Sequence, residues 1–129
     1  MLNFRQFEAG PDPFGRKFQV LFKYQQNGIS IRHANTVEVA FVVTGGEDAA
    51  VKTIALPHPD LVKLSESTGR AVDDSWCSRL AAMHLLHLVE TGEDMEKDYI
   101  TAPLADLEQY AGAVEREERG YKIPHPPPR

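Results

Sequence analysis

His84 and His87 come nearest, by residue type and spacing, to a chemical site in this chain. They are three residues apart in a segment with helical periodicity, so they differ by about 60° around the helix axis and can face one cavity. Two imidazole nitrogens can bind zinc or a similar divalent metal, but a site needs at least a third protein ligand. His33, from the predicted sheet, and the acidic segment after Gly92 are the candidate sources of that ligand.

The same two rings have a simpler interpretation. They can flank a helix and hydrogen-bond neighbouring groups or water at the sheet edge, which requires no third ligand. The His-x-x-His spacing also lacks the catalytic glutamate of the stronger zinc motif. A metal-binding protein or small metal-dependent enzyme that uses His84, His87 and His33 is therefore an alternative, and no cofactor is assigned.

Cys77 is the single cysteine and falls in the first turn of the same predicted helix. Exposed amides and the helix dipole lower a thiol pKa at that position. His84 is seven residues further on, however, about 10 Å along the axis, which is too far for direct proton transfer. Asp73 and Asp74 also disfavour a thiolate. The sequence therefore predicts a small buried apolar residue rather than a nucleophile.

The densest acidic run follows this helix and does not have the spacing of a calcium loop, in which the sharp-turn glycine lies among the acidic ligands. Here Gly92 precedes the run, and Met95 interrupts it, so we predict a solvated connection between two helices. The run comprises Glu93, Asp94, Glu96 and Asp98.

A basic surface is the second alternative site. Arg16, Lys17, Lys23 and Arg32 lie on or near one predicted hairpin. Nucleic-acid binding needs clustered cations that neutralise phosphates, and aromatic side chains among them when single strands stack. No aromatic residue is expected on the same face as these cations, and the chain has a net charge of −5. Nucleic-acid binding is therefore not the main hypothesis.

Length and composition indicate one ordinary domain. A chain of 129 residues with 42% hydrophobic residues can bury a core, and at this length folding removes about two-thirds of the accessible surface from water. No apolar run approaches the roughly 20 residues of a membrane span. The broken apolar pattern at the N-terminus and the lone cysteine favour a soluble protein of the reducing cytoplasm.

The sheet is predicted from alternating apolar residues on both sides of Asn27-Gly28, a pair typical of a two-residue type I′ turn. Strands are expected at about 17–26, 29–43 and 51–56 in an antiparallel meander. The turn would place Tyr24 opposite Ile31, Phe22 opposite His33 and Phe18 opposite Val37, with the even residues of the first strand and the odd residues of the second on one face.

Three helices should follow. Pro59 or Asp60 begins a short one that Gly69 ends, and Asp73 or Asp74 caps a second at 75–91 before Gly92. Thr101 caps the third, which runs to Gly120. We predict an α+β domain over residues 1–121, with the three helices packed on one face of the three-stranded sheet, and a proline-rich tail at 122–129.

The second face of that sheet should carry a modest apolar patch of Leu21, Ala40 and Val42, unless the final helix covers it. Such patches often mark self-association. The main hypothesis is therefore a non-catalytic protein-interaction module that forms a homodimer, through the sheet edge or through the apolar helix 75–91. The sequence names no substrate and no other partner.

Overall fold

The computed structural model describes residues 3–28 and 35–122, with side chains as far as Glu117. The described part has eight elements: β1 (Gln6–Ala9), β2 (Phe18–Gly28), β3 (Thr36–Gly45), β4 (Asp48–Pro57), α1 (His58–Thr68), α2 (Asp74–Thr91), β5 (Tyr99–Thr101) and α3 (Leu104–Lys122). The strands form one sheet in the order β1-β2-β3-β4-β5, antiparallel except for the parallel pair β4 and β5. The predicted α+β class is confirmed, but the sheet has five strands rather than three.

The first two helices have the predicted boundaries because their capping residues act as expected. The Asp73 side chain accepts a hydrogen bond of 2.8 Å from the Trp76 amide at the start of α2. Gly69 and Gly92 follow α1 and α2 with φ values of 77° and 76°, in the left-handed region that glycine adopts without a Cβ clash. The third helix continues through Gly120 to Lys122, so its predicted end was too early.

The two additional strands are short, and both lie at the edges of the sheet. β1 lies in the N-terminal segment, where the sequence predicts no strand, and it pairs Phe7 with Val20. β5 follows the acidic run and pairs Ile100 with Ile54. Strands of four and three residues show no clear alternation in a sequence.

Asn27 and Gly28 do not form the predicted turn. β2 continues through both residues, with Asn27 opposite Val37 and Gly28 opposite Thr36. The predicted strand residues 29–34, His33 among them, lie outside the described residues. An Asn-Gly pair permits a tight turn without requiring it, and here pairing of the longer strands prevails.

The predicted cross-strand register is therefore wrong, although the prediction of which residues share a face is correct for the first part of β2. Val20 pairs with Val43 and Phe22 with Phe41, so even residues of β2 do share a face with odd residues of β3. The register then shifts between Phe22 and Tyr24, where a β-bulge inserts one residue and reverses the faces. Tyr24 consequently lies opposite Ala40, on the other face from Phe22.

The core lies between the sheet and the helices. Phe41, on the central strand, meets Phe7 and Phe22 edge to face, at ring-centroid distances of 6.3 and 6.1 Å. Beyond the bulge, Gln25 faces the helices instead of Tyr24, and its side chain accepts a hydrogen bond from Ser78 and donates one to Asp74. The helices therefore cover one face of the sheet, as predicted.

Candidate functional site

His84 is a buried polar residue of the helix layer. Its ring Nδ1 lies 2.8 Å from the Tyr110 hydroxyl of α3, and the two rings are 5.6 Å apart. Burial lowers the pKa of His84, and nearby His87 lowers it further, against the opposing effect of Asp106 and other carboxylates. Burial likewise raises the pKa of the Tyr110 hydroxyl above its usual range. The pair is therefore a neutral hydrogen bond that joins α2 to α3.

His87 lies beside His84, with near-parallel rings whose centroids are 6.4 Å apart. Its Nε2 is 3.7 Å from a Glu93 carboxylate oxygen. Across residues 3–28 and 35–122, no group of three His, Cys, Asp or Glu side chains is arranged to hold a metal. His33, the third predicted ligand, lies outside those ranges. The structure thus brings the two helical histidines together and gives Tyr110, which sequence reasoning missed, as the partner of one of them.

Stability should fall in mild acid because of His84. A histidine whose pKa is lowered on folding binds a proton more readily in the unfolded chain, where its pKa is about 6.5. The free energy of unfolding contributed by this group is therefore full above that pH and decreases as the pH falls through the lower pKa of the folded state. Urea unfolding at about pH 7.5 and about pH 5.5 should show the loss.

His84→Gln should reduce this pH dependence. The matched control is His58→Gln, at an exposed histidine of α1 away from His84, and it should leave the pH dependence nearly as in the parent. An unchanged slope in His84→Gln would show that buried His84 is not the group responsible.

Cys77 has no chemical role that its surroundings support. It is buried, and burial together with Asp73 and Asp74 raises the pKa of its thiol to about 12. The thiolate is the reactive form of cysteine, so this residue is unreactive near neutral pH. The prediction of a small buried apolar residue is confirmed.

The acidic run is held by a buried lysine that the sequence did not single out. Lys52 extends its Nζ to the carbonyl oxygens of Met95 and Lys97, both at 2.7 Å, and to an Asp98 carboxylate oxygen at 3.3 Å. These three acceptors match the three protons of an ammonium group. The run is therefore a turn fastened to β4 rather than a calcium loop, and Lys52 is committed to it.

Lys52→Met should destabilise the fold by about 1–3 kcal/mol, because two carbonyl oxygens lose their donor at a buried position. Lys63→Met, at an exposed lysine of α1, should stay within about 0.5 kcal/mol of the parent. Urea unfolding of the two variants provides the comparison. Equal effects would show that the Lys52 contacts do not stabilise the turn.

The basic residues proposed for nucleic acid have partners of their own. Both Nε and an Nη of Arg16 lie 2.8 Å from an Asp12 carboxylate oxygen, and Lys17 is 4.0 Å from Glu8. Lys23 lies over the Tyr24 ring at 6.0 Å. Arg32 is outside the described residues.

One expectation about this basic surface was wrong. Arg16 does lie among aromatic side chains, with its guanidinium carbon 5.4 Å from the Phe14 ring centroid and 5.7 Å from that of Phe18. The loop that carries Phe14 was not predicted to fold back on Arg16. It does so because Asp12 accepts hydrogen bonds from the Phe14 and Arg16 amides.

An uncovered apolar area lies on the sheet face opposite the helices, called the open face below. Leu21, Val42 and Val51 form a row across β2, β3 and β4, and Tyr24, Ala40, Thr53 and Tyr99 form the adjacent row. Four of these side chains are exposed large hydrophobic residues: Leu21, Tyr24, Val51 and Tyr99. Of the predicted patch residues, Leu21 is exposed and Val42 is partly exposed, whereas Ala40 shares the face but is fully buried. The exposed apolar residues extend further than expected, to Tyr24, Val51 and Tyr99.

A hydrogen-bonded carboxylate limits the open face at one end. Glu38 accepts a bond of 2.6 Å from the Tyr99 hydroxyl and one of 3.0 Å from the Gln26 amide. Burial and this carboxylate raise the pKa of Tyr99, so the hydroxyl remains a donor. Ala40, on the same face, is fully buried.

No helix among the described residues is long and apolar enough to cross a membrane. Comparisons of the chain with protein-family models, with curated proteins and with solved structures found no match.

Proposed function

We propose that this protein is a non-catalytic interaction module that self-associates as a homodimer through the open face of its sheet. The observation that carries the proposal is the concentration of exposed apolar side chains there. Leu21, Tyr24, Val51 and Tyr99 are four of the six exposed large hydrophobic residues among those described. Single exposed apolar residues are ordinary, whereas a contiguous group marks an interaction surface.

The size of the open face suits a second copy of this chain. Its three long strands have 11, 10 and 10 residues. At about 4.8 Å between strands and about 3.3 Å per residue, these strands offer about 500 Å² per copy. Two such faces bury about 1,000 Å² together, the lower limit for a specific dimer.

Face-to-face packing also avoids the burial of an unsatisfied charge. Glu38 lies at the edge of the apolar rows, and its two carboxylate oxygens already accept hydrogen bonds from Tyr99 and Gln26. A carboxylate with such partners loses less on removal from water than a free one. A sheet face can meet its two-fold copy without an insertion or a groove, as the two sheets of a β-sandwich do.

The other routes considered for dimerisation have less support. The edge strands β1 and β5 have only four and three residues, so these two strands offer few free backbone groups to a partner strand. The remaining edge consists of the parts of β2 and β4 that extend beyond them. Helix α2 uses its apolar residues within its own chain, since ten of its eighteen residues are buried.

The alternative functions have less support than association. Metal binding would have two neighbouring histidines, of which His84 already hydrogen-bonds Tyr110. Of the four cations of the nucleic-acid alternative, Arg16 and Lys17 are opposed by Asp12 and Glu8, Lys23 lies over the Tyr24 ring, and Arg32 lies outside the described residues. A steep dependence of polyanion-column retention on salt would favour the nucleic-acid alternative.

Sedimentation equilibrium of the untagged protein over a hundredfold concentration range tests the proposal. We expect a mass of twice the 14.4 kDa chain at the upper concentrations and dissociation at the lower ones. An interface of about 1,000 Å² is consistent with a micromolar dissociation constant. A single 14.4 kDa species at every concentration would contradict self-association.

A further inference from the structure

A cleft of about 740 Å³ lies at the end of the sheet where β2 begins and the turn between β3 and β4 projects. Its volume is within the range of about 300–1,000 Å³ usual for small-molecule sites. It is separate from the rows of the open face, because its floor includes Phe18, Val43 and Ala50, which belong to the helix-side face. The inference drawn from it therefore does not depend on self-association.

The floor of the cleft is apolar and shaped by small residues. Phe18 lies across Gly45 so closely that a Cβ at that glycine would be 2.5 Å from the ring. Ala50, opposite Val43, remains exposed although it points to the side that the helices cover elsewhere. Met95 adds a further apolar group. An apolar molecule could therefore fill a space that the chain's own side chains leave open.

The cations that line the cleft are each opposed by a carboxylate outside its lining. Arg16 is paired with Asp12 at 2.8 Å. Lys52 is held by Asp98 and two carbonyl oxygens. These two positive charges are therefore already paired within the folded chain.

Lys17 is more exposed and only loosely paired, at 4.0 Å from Glu8. Among the lining cations, Lys17 is therefore the one whose positive charge would act most strongly on a bound ligand. Its carboxylate neighbour still opposes an approaching anion.

The two acidic residues of the lining differ from these cations in their ion pairing. Glu47 and Asp48 lie at the turn between β3 and β4, and neither carboxylate has an ion pair within the described residues. Three cations with their three opposing carboxylates are balanced, so Glu47 and Asp48 leave two uncompensated negative charges at the mouth. Charge of one sign at a cleft raises the local concentration of the opposite ion.

We propose that the cleft binds a small organic cation with an apolar body, such as an arylalkylammonium ion. The apolar part would rest on Val43 and Ala50, beside the Phe18 ring that Arg16 covers, and the ammonium group would face Glu47 and Asp48. A count of Arg and Lys in the lining alone would have suggested an anion, and the pairing of those residues reverses that conclusion.

Titration of the ¹⁵N-labelled protein with 2-phenylethylammonium, followed by amide chemical shifts, tests the proposal. The matched probe is 3-phenylpropanoate, which has a similar apolar body and the opposite charge. We expect the ammonium ion to shift amides of the β3–β4 turn with a dissociation constant of about 1 mM, and the carboxylate to bind at least about tenfold more weakly. Equal or tighter binding of the carboxylate, or no shifts with either probe, would overturn the proposal.

Two kinds of variant test separately how the charge and the cavity contribute to ligand binding. Glu47→Gln with Asp48→Asn should weaken ammonium binding about fivefold, whereas Glu66→Gln, at an exposed carboxylate on α1, should leave it unchanged. Ala50→Leu fills the floor without altering charge and should abolish the shifts at the turn. Unchanged binding in both the double variant and Ala50→Leu would show that the probe binds elsewhere.

Discussion

Val51→Glu is expected to convert the dimer to a monomer. Val51 lies on the open face in one row with Leu21 and Val42, and its side chain is 38% exposed in the single chain. In a face-to-face dimer, two carboxylates would enter an interface made largely of apolar side chains, among them Leu21 and Val42 of both copies. Burial of an unpaired charge costs several kcal/mol, so an affinity in the micromolar range should be lost. Sedimentation velocity at a concentration where the parent is dimeric measures the change.

Val62→Glu is the matched control, because Val62 on α1 is also 38% exposed. The substitution is the same, but the residue lies on the helix layer, away from the open face. It should leave the dimer intact. If both variants dissociate, or if neither does, the open face is not the interface.

Phe41→Ala is expected to have the largest effect on stability, about 3–5 kcal/mol. Phe41 is fully buried on the central strand, and its ring meets Phe7 and Phe22 edge to face. Truncation removes the contacts of the Phe41 ring with Phe7 of β1 and Phe22 of β2, and it leaves a cavity that the surrounding strands cannot easily fill. Domains of this size are stable by about 5–15 kcal/mol, so the variant would lose a large part of that margin. Urea unfolding gives the value.

Phe14→Ala is the matched control for this prediction. The Phe14 ring is 83% exposed and contacts Arg16 at the surface. Its removal should change the free energy of unfolding by less than about 0.5 kcal/mol. A Phe41→Ala variant as stable as Phe14→Ala would contradict the assignment of Phe41 to the centre of the core.

The helices could be predicted because their ends are determined locally. Asp73 accepts a hydrogen bond from the amide three residues ahead, and Gly69 and Gly92 adopt positive φ values. Each interaction joins residues close in sequence, so the residue type at one position is enough to locate the boundary.

The sheet depends on partners far apart in the sequence, and here prediction was less successful. Asn27-Gly28 is a valid turn signal, but pairing of Val20 and Phe22 with Val43 and Phe41 determines the register. The bulge before Tyr24 changes the face of every later residue of β2, and no local pattern marks it. The four residues of β1 and three of β5 acquire strand structure only through their neighbours.

The same contrast between local and long-range interactions applies to the candidate sites. The open face follows from strand alternation, so Leu21, Ala40 and Val42 could be identified from the sequence. The partners of Lys52 and His84 could not, because the first contacts a turn more than 40 residues later and the second a tyrosine on another helix. The pairing of Arg16 with Asp12, which changes the expected charge of the cleft, also depends on the fold of a loop.

The most direct measurement is cross-linking of a thiol placed at the centre of the open face. Cys77 is buried, with a thiol pKa of about 12, so a cysteine introduced by Val42→Cys would be the reactive one. A bis-maleimide with a short spacer suits sheets that pack about 10 Å apart. We expect intact mass spectrometry to show a cross-linked species of twice the 14.4 kDa chain mass for Val42→Cys and none for Val62→Cys. Only single chains from Val42→Cys, at concentrations where the protein sediments as a dimer, would contradict assembly through this face.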